Sequence, residues 1–168
     1  MKRVIITTLI LLFSLSFAQA QNKKAEKEAA GLALFEKAKA AIAAKDFVIV
    51  PDSYEKSDGT PEPNTDDANF ISYEGNFVFL QGMIICSNSF TNRTEVTSIN
   101  QKEDKKGNIF IEMQVMGSAI TAKVEISLRK GGNYAEVIVT PTKGTTRRFS
   151  GEILPRAESK YIKKPNVV

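Results

Sequence analysis

Hydrophobic and polar residues alternate along much of the second half of the chain. The clearest example spans residues 120–129, where Ile120, Val124 and Leu128 occupy apolar positions and Lys123 and Arg129 occupy polar ones. Successive side chains of a β-strand point to opposite faces. This period of two therefore predicts a strand with one face in a core and the other in water.

The same strand-like pattern recurs in other segments that are separated by short connections. Predicted strands span residues 69–73, 77–81, 94–101, 108–116, 119–129, 134–140 and 147–154, after a short strand at 47–50. Pro51 is expected to close that first strand or to place it at a sheet edge. Gly or Asn occurs in the connections at 74–76, 103–107, 130–133 and 141–144. Strands joined by such short turns run antiparallel.

An amphipathic helix is predicted before the strands, over residues 21–45. Leu32, Phe35, Ala38 and Ile42 recur near helical spacing, so one face should cover apolar surface. The predicted fold class is α+β and mainly β: an N-terminal helix followed by a seven- to eight-strand antiparallel meander, strongly curled or barrel-like. Residues 46–155 make up this β domain.

Three features depart from the regular pattern. Residues 53–67, SYEKSDGTPEPNTDD, are rich in turn-forming residues and predict a loop. Phe110 and Met116 fall on the polar face of their strand, where we expect the N-terminal helix to cover them in preference to a ligand. Residues 156–168 form a basic C-terminal tail, which we expect to be solvated.

The first twenty residues have the form of an export signal. Two basic residues precede an apolar run over residues 4–17, and residues 18–20, Ala-Gln-Ala, have the small-x-small form that signal peptidase accepts. The run is shorter than the ~20 apolar residues that span a bilayer. We therefore expect cleavage between Ala20 and Gln21, no membrane span, and a periplasmic or secreted product.

Composition excludes several classes of function. The chain has 168 residues, no histidine, a single cysteine and a formal net charge of +4. The absence of histidine removes the commonest general base, the usual partner of a nucleophilic Ser or Cys, and the commonest zinc ligand. Weakly basic charge of mixed sign argues against nucleic-acid binding. Cys86 lies in an apolar stretch, where we expect a buried, unreactive thiol.

Carboxylates are the remaining candidates for catalysis or metal binding. Their densest group comprises Asp58, Glu62, Asp66, Asp67 and Glu74. A glycosidase needs two carboxyl groups held about 5 to 10 Å apart, and a calcium loop needs acidic residues at alternating positions. The segment has no sign of rigidity and lacks that spacing, so a solvated loop is preferred. No catalytic residue, metal ligand or cofactor is assigned.

Four blocks of the sequence, in order, resemble a known family of secreted bacterial proteins, domain of unknown function 4251. The blocks are FVIVPD (47–52), NFISYEGNFVFLQ (69–81), KKGNIFIEMQVMGSAITAKVEISLRKGGNYAEVIV (105–139) and FSGEILPRAES (149–159). The resemblance implies an exported helix-plus-β domain and carries no activity. Family members tend to have a Gly-rich loop after the second block, whereas residues 82–93 contain a single glycine here.

Two classes of function remain open. The first is a non-enzymatic binding or interaction module of the envelope, which the missing histidine favours. Such a module would use a cavity between helix and sheet for a small apolar ligand, or an exposed sheet surface for another envelope protein. The second is a carboxylate-dependent glycan hydrolase. A void inside the sheet would support a ligand cavity, whereas a fixed pair of carboxyl groups in a cleft would support the hydrolase.

Overall fold

The structure is a computed structural model that describes residues 2–168, with side chains from residue 23 onward. The helices are α1 (Lys2–Ala43) and α2 (Met83–Cys86), and a 3₁₀ helix spans Arg156–Glu158. The strands are β1 (Asp46–Glu55), β2 (Pro61–Pro63), β3 (Phe70–Glu74), β4 (Phe77–Gly82), β5 (Asn88–Glu103), β6 (Ile109–Met116), β7 (Thr121–Leu128), β8 (Tyr134–Pro141) and β9 (Arg147–Pro155).

The predicted export signal falls on residues whose side chains lie outside the described part. Its cleavage between residues 20 and 21 therefore stays a prediction. Within the described residues, no helix combines the length and the apolar character that a membrane crossing requires.

All strands except β2 form one closed antiparallel barrel. β1 pairs with β3, the order then runs from β3 through β9 in sequence, and β9 pairs back onto β1. β2 extends the sheet beyond the barrel by pairing with the second half of β1. The predicted class, a helix followed by a barrel-like antiparallel sheet, is confirmed.

Side chains fill the interior of the barrel. On β7 the predicted alternation holds, since Val124 is fully buried while Lys123 and Glu125 are partly exposed. Inward side chains of β1, β3, β4 and β6–β9 form a single cluster in which no member is more than 6% exposed. The interior of the barrel is therefore packed with side chains, which does not favour the alternative of a ligand cavity between helix and sheet.

α1 closes one end of the barrel. Phe35, Ala38 and Ile42 join the barrel core as expected and Ala41 lies there as well, but Leu32 is 41% exposed. Gly31 packs against the β7–β8 hairpin so closely that a Cβ at Gly31 would lie 2.3 Å from the carbonyl oxygen of Gly131.

The position of α1 corrects one expectation about the outer surface. Lys39 Nζ lies 2.7 Å from Glu103 Oε2, at the end of β5, so the helix crosses the mouth of the barrel. Phe110 and Met116 on the outer wall are consequently 44% and 53% exposed. The expectation that the helix covers them is wrong.

α2 closes the opposite end. Gly82 has φ 110°, a region open to glycine, and a Cβ there would lie 2.0 Å from Asn69 Oδ1. This sharp turn starts α2, whose Ile85 is fully buried in the core. β5 then begins at Asn88 rather than at residue 94 as predicted.

β1 does not end at Pro51. It continues to Glu55 and pairs with β9 on one edge, while on the other edge β3 gives way to β2 after Ile49. Proline is accommodated because it lies at this change of partner and beside a bulge in the β9 pairing, between Pro51 and Ser53. Pro51 is therefore buried between neighbouring strands and is not at an edge.

The predicted loop at 53–67 is partly strand. Residues 53–55 belong to β1 and residues 61–63 form β2, so the segment is a hairpin. Its turn is closed by a hydrogen bond of 2.9 Å from Lys56 N–H to the Thr60 carbonyl oxygen. Local propensity for turns is outweighed here by the backbone hydrogen bonds that a second strand gains on β1.

The C-terminal tail contacts the barrel at several points, although most of its residues stay exposed to solvent. The ring of Tyr161 packs 4.7 Å from that of Phe70, in an outer cluster with Val48 and Phe79. Val168 N–H donates to the Thr91 carbonyl oxygen at 2.9 Å, which places residues 166–168 beside β5 as a parallel strand.

Ion pairs also neutralise much of the tail's positive charge. Arg156 contacts Asp46 and lies 3.2 Å from Glu74, and Lys163 lies 3.0 Å from the same Glu74 carboxylate. These cations face acidic partners on the barrel, so they do not form a free basic patch.

Candidate functional groove outside the barrel

A groove of about 480 Å³ lies on the outer surface of the barrel, beside the β1–β2 hairpin. The outward side chains of β7, β8 and β9 form its floor, and the hairpin around Gly59 and Pro61 forms one wall. The sheet register fixes the floor, because directly paired residues on neighbouring strands point to the same face.

One row of polar side chains crosses the floor from strand to strand. Ser53 pairs with Ser150, Ser150 with Glu136, and Glu136 with Ser127. Neighbouring strands are about 4.8 Å apart, so the row presents a hydroxyl or carboxylate at regular intervals. It continues out of the groove to Phe110, which pairs with Ser127.

A second row carries most of the charge. Arg148 pairs with Ile138, and Ile138 pairs with Glu125. The Arg148 guanidinium is 4.0 Å from Glu55, and Lys123 Nζ is 3.0 Å from Glu125.

Glu136 of the first row is paired as well, with Arg129 at 3.1 Å. Each carboxylate in the groove thus has a cation beside it. Because these pairs are partly exposed, each contributes little to stability and can rearrange toward a ligand.

Local contacts hold the hairpin wall in place. The Asp58 carboxylate accepts hydrogen bonds from the hydroxyl and the backbone N–H of Thr60, at 2.6 and 2.9 Å. These two bonds lower the pKa of Asp58. Lys56 Nζ pairs with Glu62 at 2.9 Å, and this contact raises the pKa of Lys56. Both shifts favour the charged forms that brace the turn.

The five carboxylates singled out from the sequence do not form a site. Asp58 and Glu62 brace the hairpin, and Asp66 accepts a hydrogen bond of 2.9 Å from Ala68 N–H. Glu74 pairs with two cations near the C-terminus, and the backbone of Asp67 accepts from Ile162 N–H. Within the described residues, no group of three or more acidic, Cys or His side chains is placed to hold a metal ion.

The groove carboxylates Glu55, Glu125 and Glu136 were not identified from the sequence. Glu125 and Glu136 occupy polar positions of alternating strands, where the pattern predicts side chains exposed to solvent. Only the register of β7, β8 and β9 brings them together. No sequence signal short of that register distinguishes them from other surface acids.

Cys86 lies away from the groove, at the end of α2. Burial, offset in part by neighbouring hydrogen bonds, raises the pKa of its thiol to about 11. The thiol is therefore protonated and a poor nucleophile at neutral pH, as expected from its apolar sequence context.

A filled antiparallel barrel with a helix across each end defines the class: a small helix-capped β-barrel domain. The chain belongs to the family Domain of unknown function (DUF4251), whose model matches residues 30–153. It is similar to a DUF4251 family protein from Bacteroides eggerthii DSM 20697, known from a crystal structure, with 25% identity and a TM-score of 0.68. That similarity covers 79% of this chain and 94% of the other. Comparison with curated proteins gives no significant match.

Proposed function

We propose that this protein is an exported, non-enzymatic binding module of the bacterial envelope that holds a glycan chain in the outer groove. The observation that carries the proposal is the groove of about 480 Å³, whose lining combines polar and apolar groups. The filled interior supports it, since it leaves the outer surface as the place for a ligand. The signal-like first twenty residues support the exported context.

The chemistry of the polar row favours a ligand rich in hydroxyl groups. Serine hydroxyls both donate and accept hydrogen bonds, and carboxylates accept two or more. Ser127 and Ser150 can therefore donate to a sugar hydroxyl or accept from it, and Glu136 can accept from it. The exposed ring of Phe110 continues the row and offers an apolar face to the carbon-bound hydrogens of a sugar ring. A ligand lying across the strands would meet these groups in succession.

A glycan hydrolase is the second candidate, because two groove carboxylates are diagonal neighbours. Glu125 pairs with Ile138 and Glu136 with Ser127, which places their backbones about 7–8 Å apart. Hydrolysis by two carboxylates requires carboxyl groups about 5 to 10 Å apart, a range that side chains at two such positions can reach. Each carboxylate, however, already forms an ion pair, Glu125 with Lys123 and Glu136 with Arg129.

Binding can be tested by titrating isotope-labelled protein with neutral oligosaccharides and following backbone amide resonances. The largest changes are expected at Ser127, Glu136 and Ser150, and Glu136→Ala should weaken binding about tenfold or more by removing a charged acceptor. Glu152→Ala, an exposed carboxylate on β9 outside the groove, is the matched control. Unchanged resonances with every oligosaccharide would overturn the proposal, and release of shortened products would favour the hydrolase.

A further inference from the structure

One stretch of β5 has an open backbone edge. β5 is 16 residues long, but its pairing with β4 ends at Glu95. Beyond the bulge at Thr97, residues 98–103 pair only with β6. All residues from Thr97 to Glu103 are exposed, and within the described structure no backbone hydrogen bond reaches their other edge. The barrel therefore leaves a row of unused N–H and C=O groups at this place.

The other open edges of the sheet are protected. β2 forms the outermost edge and carries Pro61 and Pro63, and proline cannot donate a backbone hydrogen bond. The first half of β5, around Thr91, is covered by residues 166–168 of the tail. The open stretch has no proline and no covering segment within the described structure; its charges, Lys102 and Glu103, lie at one end, and Ile99 is 43% exposed.

The unpaired backbone N–H and C=O groups of this edge fit another β-strand. Alternating N–H and C=O groups along a strand are complemented in full by another extended polypeptide. Asp104 N–H bonds to the Asn108 carbonyl oxygen across the β5–β6 turn, at 3.0 Å. Backbone groups alternate in direction along a strand, so those of Ile99, Gln101 and Glu103 point away from β6.

A second copy of this chain fits the edge in antiparallel orientation. With a two-fold axis at Asn100, Ile99 lies opposite Gln101 of the second copy, and both residues direct their backbone groups across the new pair. Lys102 lies opposite Ser98 of the second copy, so no like charges face each other. We propose that two copies of this protein pair through residues 97–103 of β5, joining their barrels into one continuous sheet. Residues 97–103 do not line the groove, although Lys102 pairs with Phe110 at the end of the groove's polar row.

Cysteine cross-linking tests the register of the pairing. Asn100→Cys places two thiols at a non-hydrogen-bonded pair, where Cα atoms are about 4.5 Å apart and a disulfide can form. Ser98→Cys, on the same face, is the matched control, because its two thiols would be about 13 Å apart along the strands. Under oxidised glutathione, Asn100→Cys should form a covalent dimer and Ser98→Cys should not. Equal cross-linking of both variants would indicate random collision and overturn the proposal.

Sedimentation equilibrium tests the pairing without a covalent bond. The wild-type protein should show a concentration-dependent dimer, and the double variant Ile99→Lys, Gln101→Lys should stay monomeric because like charges then face each other across the edge. Thr145→Lys, at an exposed position in the β8–β9 connection, adds charge away from the edge and should dimerise normally. A wild-type protein that is monomeric up to millimolar concentration overturns the proposal. The proposal is also overturned if the backbone amides of residues 97–103 become protected from hydrogen exchange only when an unrelated peptide is added.

Discussion

At the scale of single residues, the surroundings of Cys86 decide its chemistry. Its Sγ donates to the Gly82 carbonyl oxygen at 3.4 Å and accepts from Asn92 Nδ2 at 3.2 Å. Burial raises the pKa of the thiol by more than hydrogen bonding from Asn92 and the nearby charge of Arg147 lower it, so the resulting pKa is about 11. The partly buried, neutral thiol thus belongs to the short helix that closes this end of the barrel.

The raised pKa predicts a loss of stability at alkaline pH. Below the unfolded value of 9.0 the thiol is protonated in both states, and above it the folded state keeps the proton while the unfolded state releases it. The free energy of unfolding should therefore fall by about 1.4 kcal/mol per pH unit, levelling off near the folded pKa. Denaturant melts between pH 8 and 11 should show this slope relative to Cys86→Ala. Parallel pH profiles for the two proteins would contradict the prediction.

At the scale of elements, α1 stabilises the barrel by filling its mouth. Only one face of the described part of the helix is buried, and Phe35 at 1% exposure is the largest side chain on it. Leu32 lies one turn earlier and is 41% exposed, although its spacing fits the same helical stripe. At this level of the helix Gly31 makes the close contact with the β7–β8 hairpin, and Leu32 stays on the exposed side.

Replacing Phe35 or Leu32 by alanine should affect the free energy of unfolding to different extents. Phe35→Ala removes a ring from the core and should cost about 3–5 kcal/mol of unfolding free energy. Leu32→Ala, the matched control on the exposed side of the same stripe, should change it by about 0.5 kcal/mol or less. Chemical denaturation of the two variants measures the difference. Equal losses would show that the helix packs across the barrel in another orientation.

At the scale of the whole molecule, Gln81 connects the barrel to the C-terminal tail. Its Nε2 donates to the carbonyl oxygens of Ala68 and Ile162, both at 2.7 Å. Its Oε1 accepts from Lys164 N–H at 2.8 Å and from the Thr91 hydroxyl. The side-chain amide of Gln81 is fully buried, and both its nitrogen and its oxygen make hydrogen bonds that hold the tail against the barrel. The tail itself lies beyond the region that the family model matches.

Replacing this amide should release the tail. Gln81→Leu keeps the volume but removes the side-chain partner of the backbone groups of Ala68, Ile162 and Lys164, at a cost of about 2–4 kcal/mol. The Lys164 amide should then exchange with solvent much faster, as measured by hydrogen exchange. Gln114→Leu, on the exposed outer face of β6, should leave exchange at Lys164 unchanged. Retained protection in Gln81→Leu would show that Tyr161 and the paired terminal residues suffice to hold the tail.

The sequence by itself determined the elements and their faces. Alternation along β6 and β7 predicted which side chains enter the core, and short turns predicted antiparallel neighbours, because both depend on contacts close in sequence. The lack of histidine restricted the chemistry in the same direct way. Strand bounds differed most at β1 and β5, where pairing with distant strands extended a local pattern past Pro51 and back to Asn88.

Only the tertiary structure decided the closure of the barrel, the filled interior, the docked tail and the outer groove. Each depends on residues far apart in sequence, such as Ser53 beside Ser150 or Val168 beside Thr91. Outward acids such as Glu125 and Glu136 have the same local pattern whether they stand alone or share a groove. Their neighbours are fixed by strand register, which is set by the sum of many weak contacts across the sheet and not by any one stretch of sequence.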